Sequence, residues 1–193
     1  MAVRMAPGAT SKAVFTAEDL EHIQAATGKD YELVRGELFD VAPPTGMHGR
    51  IQLRTGRKLD DWAEETDAGI VFVESGYRLE RDPDTVRGPD VSFVAKGRVV
   101  PGELRRGFMN LAPDFVVEIR SPNDGWSSLE RKAEECLAAG TRLVLLLEPG
   151  QSAELIRPNG ERNRLGLDDV IQADDVLPGF RCRVRDLFPK EVE

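Results

Sequence analysis

Residues 115–119 read Phe-Val-Val-Glu-Ile, an apolar strand pattern broken by one carboxylate, Glu118. Burying a carboxylate is costly unless it is paired or binds a metal. Side chains alternate across a strand, so Phe115, Val117 and Ile119 form one wholly apolar face while Val116, Glu118 and Arg120 share the other. The segment that follows narrows the fold. Leu129, Ala133, Cys136 and Leu137 recur at helical spacing up to about Ala139, with Asn123 or Asp124 as N-cap and Gly140 as stop. Arg142–Glu148 then reads RLVLLLE, an apolar strand that needs cover on both faces. Such an order belongs to a mixed α/β sheet flanked by helices.

The flanks complete that outline. Residues 1–13 are small and polar and read as a flexible tail before a single domain, 14–193. Thr16 to Asp19 resembles a capping box that opens a helix to about Ala26. Tyr31–Val34 and Glu37–Val41 around Arg35-Gly36 read as a hairpin. After Pro43-Pro44, Met47, Ile51, Leu59 and Trp62 mark a helix over 46–66, with His48 near its apolar face. A strand over 70–73 is expected to pair with 76–79, and 81–88 reads as a charged loop. Another strand follows Pro89-Asp90. A hairpin over 153–165 and a turn at Leu177-Pro178-Gly179-Phe180 finish the chain, with 184–188 docking its end.

Composition excludes several classes. No apolar run approaches a membrane span, the N-terminus lacks an apolar leader core, and the two cysteines, Cys136 and Cys182, form neither a disulfide framework nor a zinc-ligand spacing. A reducing cytoplasm is the expected location. The net charge of −8 argues against holding nucleic acid by bulk electrostatics. The densest basic stretch is Lys96, Arg98, Arg105 and Arg106, readable as a solvated loop or as a phosphate contact.

Chemistry concentrates on two acids. Asp90 opens an apolar run, Val91–Val94, as Glu118 interrupts another. If the two strands are neighbours, both carboxylates can hold Mg²⁺ or Mn²⁺, which would lower the pKa of a bound water and stabilise charge on a phosphate under attack. Arg120, two residues after Glu118, can stabilise charge but cannot serve as a base. Lys132 flanks the helical stripe and its stem could carry the ammonium towards the sheet, or simply snorkel to solvent.

Pro89-Asp90 followed by Glu118-Ile119-Arg120 is similar to the PD-(D/E)XK pattern of restriction-endonuclease-like nucleases. The wider text resembles the Uma-two-type "putative restriction endonuclease" family. The segments that carry the resemblance are Tyr31–Leu38, His48 at a helix head, Gly88–Val91, Pro113–Pro122, Lys132, Ala138–Val144, Leu177–Phe180 and Asp186–Phe188. Together they span nearly everything from 16 to 189. The resemblance implies a nuclease-like α/β core with Asp90 and Glu118 as metal ligands, the Ile119 carbonyl as a further one, Glu37 as an additional acid, and Lys132 in place of the lysine usually found two residues after the glutamate. Three positions depart from the family pattern: Ser128 replaces a frequent aspartate, Cys136 a usual tyrosine, and Arg120 stands in the lysine slot.

The resulting expectation is a metal-dependent endonuclease acting on duplex DNA, as a homodimer by functional analogy. His48, Lys96, Arg98, Arg105 and Arg106 are its candidate substrate contacts. The alternatives are a nuclease-fold binding module without turnover, or a metal-dependent hydrolase of another phosphorylated substrate.

Overall fold

The computed structural model describes residues 14–100, 102, 104, 107–122 and 125–189. Elements run in the order α1 (Ala17–Thr27), β1 (Tyr31–Val34), β2 (Glu37–Asp40), α2 (Gly46–Thr66), β3 (Gly69–Val73), β4 (Tyr77–Glu80), β5 (Thr85–Arg87) and β6 (Val91–Ala95). There follow β7 (Phe115–Ile119), α3 (Trp126–Ala138), β8 (Leu143–Glu148), β9 (Ser152–Ile156), β10 (Arg162–Gly166), β11 (Val170–Ala173), β12 (Leu177–Arg183) and a 3-10 turn, Val184–Leu187. The Asn123 and Asp124 cap and the tail over 1–13 lie outside the described residues. The residue that precedes α3 as its N-cap is Gly125.

A six-stranded sheet, ordered β10-β9-β8-β7-β6-β3, forms the centre. β7 and β8 run parallel through the α3 crossover, and the other neighbours are antiparallel. Both faces are covered, which is why β7 and β8 are buried almost throughout. On one face α2 lays Ile51, Leu59 and Trp62 over Val91, Phe93, Phe115, Val117 and Leu145. The Trp62 ring lies 5.2 Å from that of Phe93, and its N–H donates to the Pro178 carbonyl at 3.1 Å. On the other face α3 sets Leu129, Ala133 and Cys136 on Val116, Val144 and Leu146. Glu118 belongs to this second face, so a helix covers it.

A four-stranded antiparallel sheet, β2-β1-β5-β4, stands apart from the first. Its Leu33 and Val86 pack under Ala17 and Leu20 of α1, whose Thr16 and Asp19 form the expected capping box. Its opposite face turns Glu32 and Arg87 towards α3.

Three local expectations are corrected. The 76–79 segment pairs with β5, and β3 pairs with β6. The charged loop over 81–88 contains β5, whose three residues are all buried. The Leu177–Phe180 turn is part of β12, an edge strand paired only with β11, where Pro178 and a positive-φ Gly179 accompany a shift in register.

Candidate active site

The β6–β7 register, Val91 opposite Val117, brings Asp90 level with Glu118 at one end of adjacent strands. Asp90 lies just before β6, and its side chain closes over the end of β7: Oδ2 accepts from the Ile119 N–H at 2.6 Å. Its other oxygen, Oδ1, lies 2.8 Å from His48 Nε2. His48 reaches it from the first turn of α2, capped by Thr45. Ser121 Oγ sits 3.1 Å from His48 Nδ1. One tautomer satisfies both contacts: Nε2–H donates to Asp90, and Nδ1 accepts from the Ser121 hydroxyl. Gln52, one turn further along α2, donates to the Asp90 carbonyl at 3.0 Å.

Glu118 is 5% exposed. Among the described residues none meets its carboxylate with a direct hydrogen bond or ion pair, and its largest electrostatic compensation comes from the Lys132 ammonium. Burial pushes the Glu118 carboxyl up to about 8, against the pull of Lys132 and with Asp90 and Glu32 adding repulsion. The opposite balance holds at Lys132. Its side chain keeps 27% exposure, so the attraction of Glu118 outweighs burial and holds the ammonium above the ordinary lysine range.

Around this pair stands a buried charge network that local sequence patterns do not reveal. Glu32 and Arg87 oppose each other across β1 and β5 at 2.5 Å. Arg87 also grips Glu135 of α3 at 2.6 Å, while Lys132 lies 3.4 Å from Glu32. Four carboxylates (Glu32, Asp90, Glu118, Glu135) thus face two cations (Arg87, Lys132) in one region. Such a deficit of positive charge favours a bound cation or protonation. Cys136 borders it as a buried thiol, pushed well up by burial and by Glu118, so it packs rather than reacts.

The remaining candidates are placed as follows. Glu37 is exposed on β2, and the acid of the hairpin that joins the network is Glu32. Arg120, one residue past β7, pairs with Glu148 at 2.7 Å and lines an open cleft of about 230 Å³ with His48 and Ser121. Lys96 and Arg98 lie past the opposite end of β6 from Asp90, roughly 15 Å or more away at ~3.3 Å per strand residue. There Lys96 pairs with Asp67, and Arg98 with Asp114 at 2.5 Å. They are not grouped with the acids as a phosphate contact. Arg105 and Arg106 lie outside the described residues.

A mixed sheet with a parallel β–α–β crossover, acids at the ends of two neighbouring strands and a lysine on the crossover helix define a nuclease-like protein of the restriction-endonuclease-like class. Residues 17–185 match the family described as "Uma2: Putative restriction endonuclease", and the chain belongs to that family. Its fold resembles the crystal structure of a protein described as a "putative nuclease belonging to DUF820" from Anabaena variabilis ATCC 29413. The TM-score is 0.73 at 22% identity, covering 84% of this chain and 91% of that one. No curated protein gives a significant match. No helix among the described residues is long and apolar enough to cross a membrane.

Proposed function

We propose that this chain is a magnesium- or manganese-dependent DNA endonuclease that hydrolyses phosphodiester bonds with water. The observation that carries the reading is the buried Glu118 carboxylate, without a direct hydrogen bond from any described residue and level with Asp90. Family membership supports the phosphodiester substrate.

The donor set fits such a cation. Magnesium takes one or two carboxylates from a protein and completes its shell with water and phosphate oxygens. Asp90, Glu118 and the Ile119 carbonyl would supply the protein share, and among the described residues no three His, Cys, Asp or Glu side chains gather into a closed cage. A cation there supplies a more acidic bound water and neutralises charge on the phosphate. The chain's own groups do the rest. His48 and the Ile119 amide fix the two Asp90 oxygens. Lys132, held protonated, steadies charge that develops on the phosphate. Glu32, in preference to Glu37, is the additional acid, orienting Lys132 from the side. A homodimer would set two such sites against the two strands of a duplex.

Calorimetric Mn²⁺ titration beside a DNA-cleavage assay tests these roles. Asp90→Asn is expected to lose both metal binding and cleavage, whereas Lys132→Met keeps metal binding and loses cleavage. Undiminished cleavage by Asp90→Asn would remove the proposed site. His48→Ala should weaken Mn²⁺ binding about 10–100-fold, as for other groups that orient a metal ligand. His48→Gln, which retains an N–H for Asp90, should recover part of the loss. Equal affinity in both His48 variants would deny it that role.

A binding module without turnover is the second reading, favoured by the engagement of both Asp90 oxygens within the protein. It requires DNA binding with no heat of metal binding and no cut product.

A further inference from the structure

The cleft beside His48 has a composition that the two acids do not explain. Met47, Pro122 and Pro149 give it apolar walls. The Arg120–Glu148 ion pair borders it, and the His48–Ser121 contact forms its polar side nearest Asp90. At about 230 Å³ it is of the order of one nucleoside in size.

Charge sharpens the point. The chain carries −8 overall, and Lys96 and Arg98 are paired with acids at the far end of β6. Tracking a duplex draws its affinity from many released counterions and needs a row of available cations. Stacking and base-edge hydrogen bonds need far fewer, but they require a base out of its pair. A guanidinium plane stacks on a base, a thioether packs against its ring, and a carboxylate such as Glu148 accepts from an exocyclic amine.

Resting on the nuclease reading, we propose that this cleft binds one unpaired nucleobase, so that the preferred substrate is single-stranded at or beside the bond presented to Asp90 and Glu118. Base-edge and stacking contacts then add to the affinity that phosphate contacts supply.

Fluorescence anisotropy with Ca²⁺ in place of Mg²⁺ tests this on three DNA probes: a short single strand, the blunt duplex of the same sequence, and that duplex with an unpaired tail. Wild type and Met47→Ala are compared, and Met47 is half-exposed, so its truncation leaves the fold in place. The wild-type chain should bind the single strand and the tailed duplex about tenfold more tightly than the blunt duplex. Met47→Ala should lose most of that preference. Equal or tighter binding of the blunt duplex, or a preference untouched by Met47→Ala, overturns the proposal. A cleavage arm with Mg²⁺ separates the two layers. Cutting the blunt duplex as fast as the tailed one overturns the unpaired-base subsite and leaves the nuclease reading standing. Preferential binding of unpaired DNA with no cutting of any probe supports the subsite and removes the nuclease.

Discussion

Glu118→Gln should abolish metal-dependent cleavage and at the same time make the metal-free protein more stable at alkaline pH. The carboxyl is raised from its ordinary 4.5 to about 8, first by burial. Between those values the folded chain holds a proton that the unfolded chain has released. The folded state therefore binds more protons, and the stability of the metal-free wild type falls as pH climbs through this window. Above it, the folded chain carries a buried charge that Lys132 offsets only in part. A neutral amide of the same shape removes both the slope and the penalty. Thermal denaturation in chelator, from acid to alkaline pH, should show the wild-type Tm declining more steeply than that of the variant. The variant should melt several degrees higher at the alkaline end. A variant that melts lower than wild type there would show that Glu118 is not held at a cost. The same substitution should weaken Mn²⁺ binding, which ties the instability to the site.

Arg87→Ala should be among the most damaging single changes in the chain, although Arg87 touches no proposed ligand. Its side chain is about 90% buried, with the guanidinium between Glu32 and Glu135, and both acids raise its pKa against the effect of burial. Removing it leaves two carboxylates facing each other across the joint between the small sheet and α3. Loss of one partner from a buried ion pair costs about 3–5 kcal/mol. Urea denaturation should show the midpoint falling by that equivalent with an unchanged slope. Replacing the acids as well, in Arg87→Met with Glu32→Gln and Glu135→Gln, should restore much of the loss because no unpaired charge remains. A cost below about 1 kcal/mol for Arg87→Ala would mean that the network is solvated, contrary to its burial.

The parts of this molecule that local pattern controls are the parts a reader of the sequence can find. α2 spans Gly46–Thr66 as its apolar spacing predicts, because a capped amphipathic helix carries its start and its face in consecutive residues. β7 is likewise legible from Phe115–Ile119. What escapes is set by partners distant in sequence. The 81–88 segment looks like a solvated loop because it is full of charges, and only Glu32 and Glu135 explain why Arg87 can be buried in β5. Glu32 and Glu37 both stand in one short hairpin. Nothing in the hairpin says which will lie under α3, because that is set by partners outside it. The strand partner of β3 is hidden for the same reason: adjacency in sequence favours β4, but β6 wins in space. Of the site itself, the placement of Asp90 beside Glu118 follows from register, which sequence could pose but not answer. His48 stands at a helix head in the sequence, and its hold on Asp90 emerges only with the fold.

The Glu32–Arg87–Glu135 bridge also makes the front of the molecule a latch for the helix behind it. α1 and its small sheet contribute no proposed metal ligand, yet through Glu32 and Arg87 they brace the outer side of the helix that carries Lys132. Prising that front unit away, by amino-terminal trimming or by a rival protein that captures the hairpin, would leave the two principal acids in place on the central sheet while taking from Lys132 the Glu32 carboxylate that flanks it. On the proposed reading, cation affinity would survive while cleavage fell, a form of control exerted from outside the pair of acids.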